Sequence, residues 1–184
     1  MTNSLLIRTF KQLSAKDLRD LCAFARCNCF NRRDDVALLC EYLAGHIGKP
    51  SLKAFEPERM CAAACPGQPF DLKKLRHVMS YLLDVVRQYL AWSECRSDSA
   101  GQQQYLIRAL RNRGLDKLFE KEWQRADGTA EESPSRDAKY HFSRYQLHQE
   151  KLERAARRER SAKLNLQPLP DELTAFYLSE MLRH

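Results

Sequence analysis

At 184 residues, with 43% hydrophobic and 30% charged side chains, the chain can bury a core without disulfide or metal staples and is too apolar to be disordered. A net charge of +7 at pH 7 admits an anionic partner without requiring one. No run of about 18 apolar residues offers a membrane span, and Met1 to Phe10 lacks a secretory leader, so the seven Cys read as reduced thiols in a cytoplasmic protein.

Only 6 Gly and 7 Pro occur, and most fall between helical patterns. Abundant Leu, Ala, Arg, Lys, Glu and Gln favours helix throughout. Residues 4–13 make a short amphipathic helix carrying Leu6, Phe10 and Leu13. Ser14 with Asp17 is a capping-box variant that opens a second helix, with Leu18, Leu21, Cys22 and Ala25 at helical spacing. Asn31 is placed to cap a third, striped by Val36, Leu39, Cys40 and Leu43 and ending by Gly45 or Gly48. Glu56–Pro57 starts a short helix, which Pro66, Gly67 and Pro69 end.

The strongest pattern follows. Asp71 caps a helix over 71–96, in which Leu72, Leu75, Met79, Leu82, Leu83, Val86, Tyr89 and Leu90 recur at spacings of three and four. Asp98 or Ser99 caps the next helix, with Tyr105, Leu106, Ala109 and Leu110 as its apolar side and Gly114 as its C′ residue. Leu115, Leu118, Phe119 and Trp123 form a further short helix. Residues 127–135 (DGTAEESPS) read as an exposed loop. A long charged helix is expected over 136–161, and after Pro168 and Pro170 an Asp171-capped helix over 172–184. The expected fold is all-α, an irregular bundle of eight or nine helices. It divides into a bundle at 1–126, the loop at 127–135 and a helical hairpin at 136–184. No fixed-period self-similarity is visible within the chain, although the start of a longer helical-repeat-like array stays open.

Five stretches carry a family resemblance, in collinear order. They are LRDLCAFARCNCFNRRDDVALLCEYL, PGQPFDLKKLRHVMSYLLDVVRQYLAW, RGLDKLFEKEW, YHFSRYQLHQE and LNLQPLPDELTAFYLSEMLRH. Together they resemble the N-terminal part of a family of long, uncharacterised helical proteins common in the Bacteroidetes. Phe30 and Asn31 match that family's turn, while Cys27 and Cys29 stand where Ser and an aromatic are usual. The resemblance implies an all-helical chain that stops inside a helix of a longer protein. It implies no activity, because the family has none assigned.

Chemistry-bearing residues are few. No P-loop, G-x-G-x-x-G, G-x-S-x-G or H-E-x-x-H motif occurs, so no enzyme class and no cofactor is indicated. Cys27-x-Cys29 near Cys22 and Cys40 has poor spacing for zinc and reads as small buried apolar groups. His141 and His148 share a helix face with Tyr145, but Glu150 points elsewhere, so this reads as packing.

From Arg136 to Lys163 there are nine Lys or Arg and four Asp or Glu, a local excess of five positive charges. Arg154, Arg157, Arg158, Arg160 and Lys163 are candidate anion or nucleic-acid ligands. Interleaved Glu150, Glu153 and Glu159 favour a solvated face instead, with pairs Glu150–Arg154 and Glu153–Arg157. Phe176, Tyr177, Met181 and Leu182 form an apolar stripe that either folds back on the 136–161 helix or is an interface. The leading functional expectation is a non-catalytic interaction or scaffold module, with a protein partner or self-association through helix faces. Nucleic acid is the alternative partner.

Overall fold

A computed structural model describes residues 4–48, 52–158 and 165–183. Among these residues nine α-helices and one 3₁₀ turn occur and no strand, so the all-α expectation holds. The helices are α1 (Leu5–Gln12), α2 (Ala15–Arg26), α3 (Asp34–His46), α4 (Pro57–Ala64), α5 (Leu72–Ser97), α6 (Ser99–Asn112), α7 (Asp116–Glu131), α8 (Ala138–Arg158) and α9 (Pro168–Met181). The chain divides into two units, Met1–Glu94 and Cys95–His184. This division falls in the last turn of α5. It is not the expected boundary at 126, because α6 and α7 pack with α8.

The first unit is built on capped helix ends and one apolar core. Ser14 and Asp17 form a reciprocal capping box, with Asp17 N–H on Ser14 Oγ at 3.1 Å and Ser14 N–H on Asp17 Oδ2 at 3.0 Å. Asp71 Oδ1 accepts from the N–H groups of Lys73 and Lys74 at the start of α5. Asn31 does something other than the expected cap. The N-cap of α3 is Arg33. The Asn31 amide donates to the Ala25 and Arg33 carbonyls and its oxygen accepts from Arg33 N–H, closing the turn between α2 and α3.

Val36, Leu39, Cys40 and Leu43 of α3 are completely buried, and so is Leu82 of α5. They share one core with Ile7, Phe10, Leu21, Met60, Leu75, Val78 and Tyr89. At roughly 1.5–3 kcal/mol for each fully buried large side chain, this cluster supplies most of what holds the unit together. Phe24 stacks on Phe30 at 4.0 Å and meets Trp92 at 5.5 Å, and the Tyr89 hydroxyl donates to Asp17 Oδ1 at 3.3 Å.

The second unit has a smaller core of Ile107, Leu110, Phe119, Trp123 and Leu147. Its turns are specified locally. Asp98 accepts from Gly101 N–H. Gly114, at φ +66°, ends α6 in a Schellman motif, with Leu115 N–H on Leu110 O and Gly114 N–H on Arg111 O. Three expectations are corrected here. The loop at 127–135 is short, since α7 runs to Glu131. The last helix starts at Pro168 with Gln167 as N-cap, so Asp171 sits in its first turn. The buried side of α6 is Ile107 and Leu110, whereas Tyr105 and Leu106 are exposed.

Candidate interaction surface

The described candidate residues lie in the second unit, on α8 and α9 and at the C-cap of α9. Helix α8 is surrounded: Leu147 and Glu150 are buried against α6 and α7, and α9 packs along another side. Glu150 is the one buried charged residue among those described. Its two oxygens accept from Arg108 Nε at 2.7 Å and Arg111 Nε at 2.6 Å. Arg111 also pairs with Glu153 at 2.6 Å. Arg154 reaches Asp116 at 2.9 Å and Glu120 at 2.6 Å, and lies over the Phe119 ring at 4.6 Å. Arg144 pairs with Asp127 and Glu172.

These pairs correct the reading of Glu150 and Arg154 as members of a solvated face held by intrahelical pairs. Glu150 and Arg154 each bond across to another helix. The cause is geometric: Glu150 and Arg154 follow Leu147 by three and seven residues, on the stripe that faces α6 and α7. Arg154 is therefore committed within the fold. Arg157 is exposed. Arg158 ends α8, and Arg160 and Lys163 lie outside the described residues.

The histidines also have partners that their spacing did not reveal. His141 Nδ1 lies 2.8 Å from Glu172 Oε2 of α9. His148 stands 5.9 Å from the Trp123 ring, and its pKa is lowered by burial first and by the nearby Arg144 charge second. Trp123 is fixed by its Nε1–H on Leu147 O at 2.9 Å and covered by the Lys151 ammonium at 3.8 Å. An open cleft of about 470 Å³ lies beside α8, with Gln103, Gln104, Thr129, Lys139, Ser143 and Arg144 among its lining residues. Arg144 of its lining is already paired with Asp127 and Glu172.

Helix α9 is arranged the opposite way round from an ordinary amphipathic helix. Its sheltered side carries Pro168, Leu169, Glu172, Ala175, Phe176, Ser179 and Glu180. Phe176 meets Phe142 at 5.2 Å, so this member of the candidate stripe belongs to the α8–α9 contact. The outer side carries Leu173, Tyr177, Leu178, Met181 and Leu182, between 46% and 88% exposed, together with exposed Pro170, Asp171 and Thr174. No residue of α9 is fully buried. Most of the large apolar side chains of α9 thus lie outside, which burial by this chain alone would not select.

Sequence reasoning named Tyr177, Met181 and Leu182 but missed Leu173 and Leu178, which the same i, i+4 spacing would have supplied. It missed Arg108 and Arg111 as well. Their signal is weak: two arginines three apart, facing a glutamate in register with Leu147.

Among the described residues no group of three or more His, Cys, Asp or Glu converges to hold a metal ion, and no helix is long and apolar enough to cross a membrane. Comparison with family models, curated proteins and solved structures finds no match.

Proposed function

We propose that this chain is a non-catalytic protein-interaction module whose contact surface is the outer face of α9, met by the same face of a second copy. The observation that supports this is the inverted polarity of α9. Leu173, Tyr177 and Met181 follow one another at four-residue spacing, with Leu178 and Leu182 alongside. At the exposures given above they present on the order of 500 Å² of apolar surface, near the top of what a monomer usually shows in one patch, roughly 300–600 Å².

Charge favours a like partner. Asp171 and Arg183, both exposed, flank the stripe at opposite ends, and Arg183 also meets Glu180 of its own helix at 3.3 Å. A two-fold axis beside Tyr177 runs the two helices antiparallel and brings each Asp171 toward the partner's C-terminal end, where Arg183 lies. An antiparallel pairing lets each Asp171 compete with Glu180 for the partner's Arg183 while the apolar residues meet at the centre, an arrangement compatible with an isologous interface. The resemblance to the long helical proteins of the Bacteroidetes fits the same reading, since their shared motifs are structural. The anion-binding alternative loses support from the interhelical pairing of Arg154.

The test is sedimentation equilibrium of the full chain from about 1 to about 100 μM, a range that brackets a micromolar Kd. A monomer–dimer equilibrium is expected. Tyr177→Asp with Met181→Asp should abolish it while leaving helical circular dichroism unchanged. A chain that stays monomeric across the range overturns the proposal. So does a dimer that the double substitution leaves intact.

A further inference from the structure

Cys22 on α2 and Cys40 on α3 sit with their sulfurs 3.9 Å apart. They come from adjacent helices joined by the Asn31 turn, and each lies on the stripe its helix turns toward the other. Their exposure differs. Cys40 is completely buried, while Cys22 is half-buried and open to solvent on one side. Among the described residues this is the one thiol pair at contact distance; Cys29 and Cys95 are exposed, and Cys61 and Cys65 are buried elsewhere in the core.

We propose that Cys22 and Cys40 are a redox-active dithiol, Cys22 the attacking thiol and Cys40 the resolving one, which closes to an intramolecular disulfide on meeting a low-molecular-weight disulfide. The first step is attack of the Cys22 thiolate on one sulfur of the oxidant RSSR. The Cys22–S–S–R bond forms, the oxidant's S–S bond breaks and RS⁻ leaves. In the second step Cys40 gives its proton to solvent and attacks Cys22 Sγ, expelling the second RS⁻. Two thiols are oxidised, and one disulfide is reduced to two RSH once the protons are taken up.

The surroundings divide the roles in this order. The hydrogen bond from the Cys40 thiol holds Cys22 below the ordinary thiol range, against burial and the Glu41 carboxylate, with the Arg26 charge helping. Cys40 is held up first by its hydrogen bond with Cys22, then by burial and by the Cys22 charge. Two of those three effects vanish once Cys22 is capped, so resolution becomes easier after the first step. Closing the pair to a bond of about 2.05 Å needs the sulfurs to approach by roughly 2 Å, within reach of side-chain rotation and a small helix shift.

Peptide mapping tests this without any substitution. The reduced full chain is exposed to oxidised glutathione, alkylated and cut with trypsin without reductant. Trypsin releases residues 20–26 with Cys22 alone and, because it does not cut between Lys49 and Pro50, 34–53 with Cys40 alone, so their cross-link is unambiguous. The expected product is 20–26 bonded to 34–53, reversed by dithiothreitol, with mixed glutathione disulfides on exposed Cys29 and Cys95 showing that the oxidant reached the protein. Cys40→Ser should stop the reaction at a glutathione adduct on Cys22. Recovery of alkylated Cys22 and Cys40 while Cys29 and Cys95 are modified overturns the proposal. Cross-linking of Cys22 to any other cysteine does so too.

Discussion

Replacing Glu150 by Ala removes the carboxylate on which two arginines converge. The side chains of Glu150 and Arg111 are 5% and 7% exposed, whereas that of Arg108 is 47% exposed. Arg108 can return to solvent at little cost. Arg111 cannot, and it keeps only Glu153, itself 41% exposed. Removing one partner of a buried ion pair costs about 3–5 kcal/mol, most of it the penalty of a stranded charge. The remaining Glu153 contact places this case at the lower end, about 3 kcal/mol. For a unit of this size that corresponds to roughly 12–24 °C in its melting midpoint.

The chain offers a clean reporter. Its two tryptophans fall one in each unit, so Trp92→Phe leaves Trp123 to report on the second unit alone. Trp123 donates to the carbonyl of Leu147, one turn before Glu150. Urea denaturation followed by Trp123 fluorescence therefore reads the unit that the substitution affects. Replacing the pair together, Glu150→Leu with Arg111→Met, should return stability to within about 1 kcal/mol of the parent, because the desolvation cost disappears with the charges. A loss below about 1 kcal/mol for Glu150→Ala would refute the reasoning. An equal loss in the double variant would show that packing, not the stranded arginine, is at stake.

Two further outcomes follow from the same unit. Gly114→Ala should destabilise it by about 1–2 kcal/mol, since φ is +66° there and open space around the position leaves backbone strain as the sole cost. A neutral effect on the urea midpoint would contradict the Schellman assignment. His148 has a folded pKa below its ordinary value near 6.5. Between those two values the unfolded chain binds more protons, so stability rises with pH across that window and is lost as pH falls from about 6.5 toward the folded pKa. The parent should lose more stability than His148→Gln between about pH 7.5 and pH 5.5. Equal losses would remove His148 as the cause.

The local features of the fold were legible in the sequence because they depend on residues a few positions apart. The Ser14–Asp17 box, the Pro57 start, the Asp71 and Asp98 caps and the Gly114 stop each rest on i to i+3 chemistry. The buried stripe of α3 follows from helical period, and so does most of that of α5, where Leu90 is nonetheless exposed and Val78 and Val85 join the core. Fold class is settled at this level.

Pairing between helices was not legible. Glu150 and Arg154 read as partners four residues apart on one helix. The fold gives them Arg108, Arg111, Asp116 and Glu120 from α6 and α7, because interhelical contact distance is set by packing and not by sequence separation. The division of the chain was hidden for the same reason: 127–135 has loop composition, yet α7 continues into it and docks Trp123 on α8. The same holds for α9. Its sequence announces an apolar helix, but only the tertiary structure decides which side Phe176 shelters and that Tyr177, Met181 and Leu182 remain outside. Period fixes which residues share a face, and packing fixes what each face meets.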